Sequence, residues 1–325
     1  MKKVLALLCA VMLLVSVCAC GQANSTENGG DEATVFTVGI CQLVQHPALD
    51  DATQGFKDAL VAEFGEDGVI FEEQNAAGDS ATCATICNGF VSEGVDLIMA
   101  NATPALQAAV SATDSIPVLG TSVTEYGVAL SIDNFSGTVG GNVSGTSDLA
   151  PLDQQAKIIV DLFPNAKTVG ILYCSGEPNS VYQSDVVKAE LEKAGVTVKV
   201  FTFADSNDVS TVTTSACDEC DVLYIPTDNT AASCAKAIGA IVQSAGVPAV
   251  TGEEATCESC GVATLSINYY DLGKTTGEMA AKILKGEANI SEMPIEYFSD
   301  PVYKFNPDFA SALNVKIPEN FVAIG

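Results

Sequence analysis

The chain has 325 residues, with 41 acidic side chains against 14 basic ones and a formal net charge of −27; every basic residue is a lysine. So acidic a chain lacks the basic footprint that nucleic acid requires, which argues against nucleic acid as a partner. A single histidine, His46, excludes a histidine-rich metal site and leaves one imidazole for any Ser/His/Asp triad.

In chain order, Lys2 and Lys3, the apolar run 4–17 and the small residues after it read as a secretory signal over 1–19. It is too short and wrongly flanked for a spanning helix. The junction Val17-Cys18-Ala19-Cys20 reads as a bacterial lipobox with Cys20 lipidated; an ordinary signal cut near Ala19 is the alternative. The polar, Gly/Asn-rich stretch that follows, 20–34, suits a tether from a membrane anchor. The expected location is therefore the cell envelope, lipid-anchored on the outer face of the cytoplasmic membrane or on its periplasmic side. No later segment is long and apolar enough to span a membrane.

Beyond the tether, short apolar runs alternate with helical patterns. Strands are predicted at 35–41, 68–72, 96–101, 116–120, 168–174, 197–203, 221–226, 247–251 and 262–268. Helices fall between them at 47–64, 80–93, 104–113, 152–163, 180–194, 208–216, 229–245 and 271–286. Continuous apolar strands alternating with helices imply an α/β fold with parallel sheets covered on both faces. The β-α-β-α-β-α-β pattern occurs twice, over 35–123 and 168–251, which predicts two similar parallel-sheet lobes. The Gly/Ser-rich "LSIDNFSGTVGGNVSGTSDLA" between them reads as a crossover without helical periodicity.

Nine cysteines follow Cys20: 41, 83, 87, 174, 217, 220, 234, 257 and 260. "CDEC" and "CESC" have zinc-ribbon spacing within each pair, but the two pairs lie farther apart than such pairs usually do. Cys83 and Cys87 sit four apart on a predicted helix, poor geometry for a disulfide. Buried thiols or a few local disulfides are expected, with no metal and no cofactor.

Polar residues gather where a strand ends and a helix begins: "VQHPALD", "NAAGDS", "NATPAL" and "LGTSV" in the first half, "CSGEPNS", "ADSND", "PTDNT" and "TGEE" in the second. Each corner alone is explained by helix capping. Eight of them at the carboxyl ends of parallel strands, where open sheets bind ligands, would line one cleft.

These corners carry a resemblance. "QHPALDDATQGFKDAL", "NAAGD", "NATPALQAA", "NVSGTSDLAP", "EPNSVYQ", "YIPTDNTAAS", "GEEATCESCGVATLSINYYDLGKTTGEMAAKIL" and "FNPDFASALNVKIPENF" span nearly the whole chain beyond Cys20. In them the chain resembles the aromatic-amino-acid-binding (tryptophan/tyrosine-type) lipoproteins of ABC importers. The resemblance implies a type I periplasmic-binding-protein-like fold whose lobes close on a small ligand as a hinge, with three crossings of the chain between lobes. The lobes would be 35–148 plus 271–295 and 149–270 plus 296–325. It also implies an ABC permease and ATPase as partners, with attachment to the membrane through the N-terminal lipid. Asp148, Asn179 and Ser180 would face the cleft.

A free amino acid presents a carboxylate, an ammonium and a side chain. Without arginine, the carboxylate is expected at a helix N-terminus. Thr103, Pro104 and Ala105 are the first choice, with Ser122 at the next strand end; Thr103 acting only as a cap is the alternative. At "PTDNT", Asp228 can cap a helix with one oxygen and offer the other to an ammonium beside Asn229, with Glu253 and Glu254 in reserve. His46, Tyr126, Tyr182 and Tyr269 are candidates for stacking on an aromatic ring. A branched-chain amino acid, a nucleoside or a sugar remains an alternative ligand, and a sensing subunit an alternative role. An extracellular hydrolase is disfavoured because no G-x-S-x-G motif occurs and the sole histidine precedes a proline.

Overall fold

The computed structural model describes residues 35–298 and 300–325. The signal segment 1–19, Cys20 and the tether 20–34 lie outside the described residues.

The first lobe begins with β1 (Phe36–Gln42), α1 (Pro47–Phe64), β2 (Val69–Asn75), α2 (Ser80–Glu93), β3 (Leu97–Asn101), α3 (Thr103–Ala112), β4 (Val118–Val123), α4 (Tyr126–Leu130) and β5 (Val143–Ser147). The second runs through α5 (Leu152–Leu162), β6 (Thr168–Cys174), α6 (Pro178–Lys193), β7 (Thr197–Phe203), α7 (Val209–Glu219), β8 (Val222–Ile225), α8 (Asn229–Ser233), α9 (Ala235–Ala245), β9 (Ala249–Thr251), α10 (Glu254–Cys260) and β10 (Ala263–Ser266). Then α11 (Tyr269–Leu284) returns to the first lobe, followed there by β11 (Glu296–Tyr297). The chain closes on the second lobe with β12 (Val302–Phe305), α12 (Pro307–Ala312) and β13 (Val322–Ala323).

The sheets have orders β11-β5-β4-β3-β1-β2 and β13-β12-β10-β9-β8-β6-β7. The repeat is thus one topology used twice, β2-β1-β3-β4-β5 matching β7-β6-β8-β9-β10. All pairings in the first sheet are parallel; in the second, β12 runs antiparallel to β10. Central strands such as β3 and β8 are buried at every residue, as sheets covered on both faces require.

Helix α1 shows how a sequence stripe becomes packing. Ala48, Leu49, Ala52, Thr53, Gly55, Phe56, Ala59 and Leu60 are its buried positions, at helical spacing. Its partner is α11, and the two approach at backbone contact. A Cβ on Gly55 would lie 2.0 Å from the Tyr270 carbonyl oxygen, and one on Gly273 1.9 Å from that of Ala52. Side chains at these points would drive the helices apart.

Three expectations are corrected. The Gly/Ser-rich crossover begins at the last residue of α4 and contains β5, which continues the first sheet. Strand β5 lacks an apolar signature because Gly145 (φ +145°) lies against Gly120 and the Tyr126 hydroxyl, leaving no space for a side chain. The helix expected over 229–245 is two, α8 and α9, divided at Cys234, whose backbone (φ −107°, ψ 7°) leaves the helical range. Finally, β11 pairs with β5, so residues 296–297 belong to the first lobe and the last crossing follows Tyr297.

Candidate functional site

Parallel sheets place all the strand-to-helix corners at one edge, and the two edges face each other. The point where strand order reverses lies between β1 and β3 in the first sheet and between β6 and β8 in the second. The chain joins these two points directly: His46, after β1, meets Asn229, after β8, through Nε2 and Oδ1 at 3.3 Å. A second bridge runs from Gln183 Nε2 on α6 to Thr124 Oγ1 after β4 (3.4 Å). At the crossings, Tyr269 donates its hydroxyl hydrogen to Asp148 Oδ2 at 2.9 Å.

Around this seam, buried polar groups form a connected network. Glu177 accepts from Asn229 N (3.0 Å), Asn229 Nδ2 (2.6 Å), Thr230 N (2.9 Å) and Asn179 Nδ2 (3.2 Å). Asn179 Nδ2 also donates to Ser180 Oγ and to the Thr227 carbonyl. Gln183 Oε1 receives the Thr227 N–H at 3.0 Å.

Buried polar atoms normally find partners. Among the described residues, the exceptions include His46 Nδ1, Ser122 Oγ, Asp148 Oδ1 and Asn179 Oδ1, all at corners or crossings between the lobes. Leaving such groups unpaired costs about 1–3 kcal/mol each, so a polar guest meeting several at once gains what the protein alone forgoes.

The start of α3 belongs to the same set. Its N-cap, Ala102, offers no side chain to the first-turn N–H groups and sits at φ +89°, a conformation that costs an L-residue of order 1–3 kcal/mol. Ser122, at φ +54°, is in the left-handed region one strand away. Thr103, Pro104 and Ala105 are all buried. Helices α1 and α6 also begin with proline and no side-chain cap, whereas α2, α4, α8, α10 and α11 are capped by Asp79, Glu125, Asp228, Glu253 and Asn268.

A cavity of about 400 Å³ opens beside the network, bounded by Leu43, Ala77, Gly78 and Pro104 of the first lobe and by Cys174, Glu177, Asp205 and Asn229 of the second. His46, Ser122, Asp148 and Asn179 do not border it.

The sequence-based candidates divide. His46, Thr103, Ser122, Asp148, Asn179, Ser180 and Asn229 belong to the seam. Asp228 is there but fully committed: Oδ1 accepts from Ala231 N and Oδ2 from Cys174 N, both at 2.7 Å. The oxygen expected to face a ligand instead ties α8 to the end of β6. Burial, and then the charge of Glu177, push its carboxyl upward. Glu254 is held by Lys304 at the rim. Tyr126 is core, its hydroxyl on the Thr146 carbonyl (3.1 Å). Burial raises the Asp148 carboxyl to about 6, against the lowering effect of the Tyr269 and Thr124 hydroxyls.

Sequence reasoning missed Glu177, Thr124 and Gln183, and read Thr227 only as part of the "PTDNT" corner. Glu177 stands in the quoted "CSGEPNS", and a carboxylate directly before a helix-starting proline was a signal available there. All nine described cysteines are free, eight of them buried.

Comparison with known proteins fits this geometry. A family model described as ABC transporter substrate binding protein matches residues 37–324. A tyrosine-binding protein of Clostridioides difficile is 34% identical over 326 residues, covering 97% of this chain and 93% of that protein. A Streptococcus pneumoniae ABC domain solved in complex with L-Trp is 36% identical, with TM-score 0.84 and coverage of 88% of this chain and 97% of the other. A ligand-free, open substrate-binding protein with adhesive properties from Clostridium difficile is 38% identical over 89% of this chain and 99% of the other, yet its TM-score is 0.67.

Proposed function

The chain belongs to the ABC transporter substrate-binding protein family, and on that premise we propose that it captures a free aromatic L-amino acid between its lobes and delivers it, chemically unchanged, to an ABC permease with its ATPase. The observation that carries this reading is Asp148: a buried carboxyl at a crossing between lobes, one oxygen held by Tyr269 and the other without a partner in the protein. A ligand ammonium supplies that partner and favours the ionised carboxyl. One strand over lies Ser122 Oγ and two strands over the uncapped start of α3, where the N–H groups of Thr103 and Ala105 suit a carboxylate. A chain without arginine has few other means of holding that group.

The side chain then runs past Thr103 toward the strand end after β1, beside a cavity by Leu43 and Pro104 whose volume lies within the usual range for small-molecule sites. The tyrosine-binding and L-Trp-bound relatives favour an aromatic one. The inter-lobe bridges, and the greater likeness to the L-Trp complex than to the open relative, support reading this conformation as the closed one. We place the protein at the outer face of the cell envelope, held by lipid on Cys20, in keeping with the lipobox and the polar tether.

The test is calorimetry of the twenty L-amino acids, with ribose, a nucleoside and sugars as controls, on protein unfolded and refolded to strip bound ligand. Binding of tryptophan, tyrosine or phenylalanine is expected. Binding of leucine, a nucleoside or a sugar, with none of the aromatics, would overturn the ligand and leave the family standing. Detergent partitioning unchanged by Cys20→Ala would overturn the anchor.

A further inference from the structure

We propose that His46 reads the ring of the bound amino acid: its Nδ1 accepts a hydrogen bond from the phenol O–H of tyrosine or the indole N–H of tryptophan, setting both above phenylalanine. This rests on the aromatic-amino-acid reading above.

Donor and acceptor roles pass along three residues, from Glu177 through Asn229 to His46. Glu177 is pinned as an acceptor, because its two oxygens take backbone N–H groups from Asn229 and Thr230. The nitrogen of the Asn229 amide must therefore be the atom 2.6 Å from Glu177 Oε2, since only Nδ2 can donate. That turns the amide oxygen toward His46 Nε2. A carbonyl oxygen only accepts, so Nε2 carries the hydrogen. In a neutral imidazole the other nitrogen is then a bare acceptor. Nδ1 is that atom. It is buried without a partner, and it makes no cap bond to α1, although His46 occupies the N-cap position. A buried acceptor held in one tautomer by a carboxylate two residues removed is a built recognition element.

Its place along the sheet matches a ring. The corners run His46 after β1, Thr103 after β3, Ser122 on β4 and Asp148 after β5, on strands that are successive neighbours. Three strand spacings are about 14 Å. Two hydrogen bonds, one at each end, take about 3 Å apiece and leave about 8 Å between Asp148 and His46. A tyrosine fills that span from ammonium to phenol oxygen, and tryptophan nearly fills it to the indole nitrogen. Phenylalanine ends at its ring and brings no donor, so Nδ1 stays buried and unpaired, a difference worth about ten- to a hundredfold in affinity.

The chain's single histidine makes the test direct. On protein purified without a polyhistidine tag, 15N NMR of the imidazole should show the Nε2–H tautomer. The Nδ1 signal should shift on adding tyrosine or tryptophan and stay put with phenylalanine. By calorimetry, the better of tyrosine and tryptophan should bind at least about tenfold tighter than phenylalanine, and His46→Ala, which also removes the Asn229 bridge, should weaken all three but close most of that gap. An imidazolium or an Nδ1–H tautomer in the bound state, or an equal loss for all three ligands in His46→Ala, would overturn the proposal. The NMR arm decides it even if the variant does not fold. If none of the three binds the unaltered protein, the ligand reading itself has failed and this one with it, a result that needs no variant.

Discussion

Replacing Asp148 by asparagine should pull stability and affinity in opposite directions. The carboxyl is buried, and its folded value of about 6 stands above the ordinary 3.8. A raised carboxyl contributes stability that is fully present below pH 3.8 and lost as pH rises through 6. The amount lost by neutral pH is about 3 kcal/mol. Asparagine keeps an oxygen for the Tyr269 hydroxyl and removes the charge, so its stability lacks this pH dependence. Relative to Asp148→Asn, the ligand-free protein should therefore lose roughly 6–12 °C of melting temperature between about pH 3 and pH 7.5, at 2–4 °C per kcal/mol. The comparison across pH cancels any fixed cost of the new amide group. Affinity should fall ten- to a hundredfold or more, the worth of a hydrogen bond to a charged group. For the unsubstituted protein, affinity should also weaken below pH 6, where the carboxyl is protonated before the ligand arrives. The assays are thermal unfolding across pH and calorimetry at pH 7.5. A melting difference flat with pH, together with unchanged affinity, would refute both the buried charge and its role.

Asp228→Asn should lower the ligand-free melting temperature, since one of two backbone N–H groups loses its acceptor at about 1–3 kcal/mol; circular dichroism melts check this. Gly145→Ala should cost at least about 3 kcal/mol and abolish soluble expression or lower the urea midpoint sharply, because the added carbon would lie 2.1 Å from the Gly120 carbonyl oxygen. With Ellman's reagent, Cys234 should be the one fast-reacting thiol of the nine described, since the other eight are buried and burial pushes Cys217 and Cys220 up to about 11. A second fast thiol would contradict the packing of the cores.

What was legible in the sequence was what local pattern determines. Helix α1 could be placed from Pro47 to Phe64 because a proline start and an apolar stripe are written into consecutive residues. Strand β5 was not, because its burial comes from backbone contact with Gly120 and Tyr126 rather than from large side chains of its own. The corners were legible as corners for the same local reason. Their division of labour was not: Asp228 and Asp148 look alike in sequence. Only the arrival of the Cys174 N–H, 54 residues away, makes one a tie, and only the absence of such a donor leaves the other open.

The contact of α11 with α1 bears on how the chain reaches this state. Helix α1 begins at residue 47, and the helix that covers its Ala52–Phe56 stripe begins at residue 269. With Gly55 and Gly273 each against the other helix's backbone, no nearer segment with ordinary side chains can stand in for α11. Any process that delivers the polypeptide from its N-terminal end must therefore present the first lobe incomplete, with an uncovered apolar face, while the second lobe's five-stranded repeat is made. The second lobe's five-stranded repeat can assemble from a contiguous stretch, whereas the first lobe, begun earlier, waits for α11 to arrive.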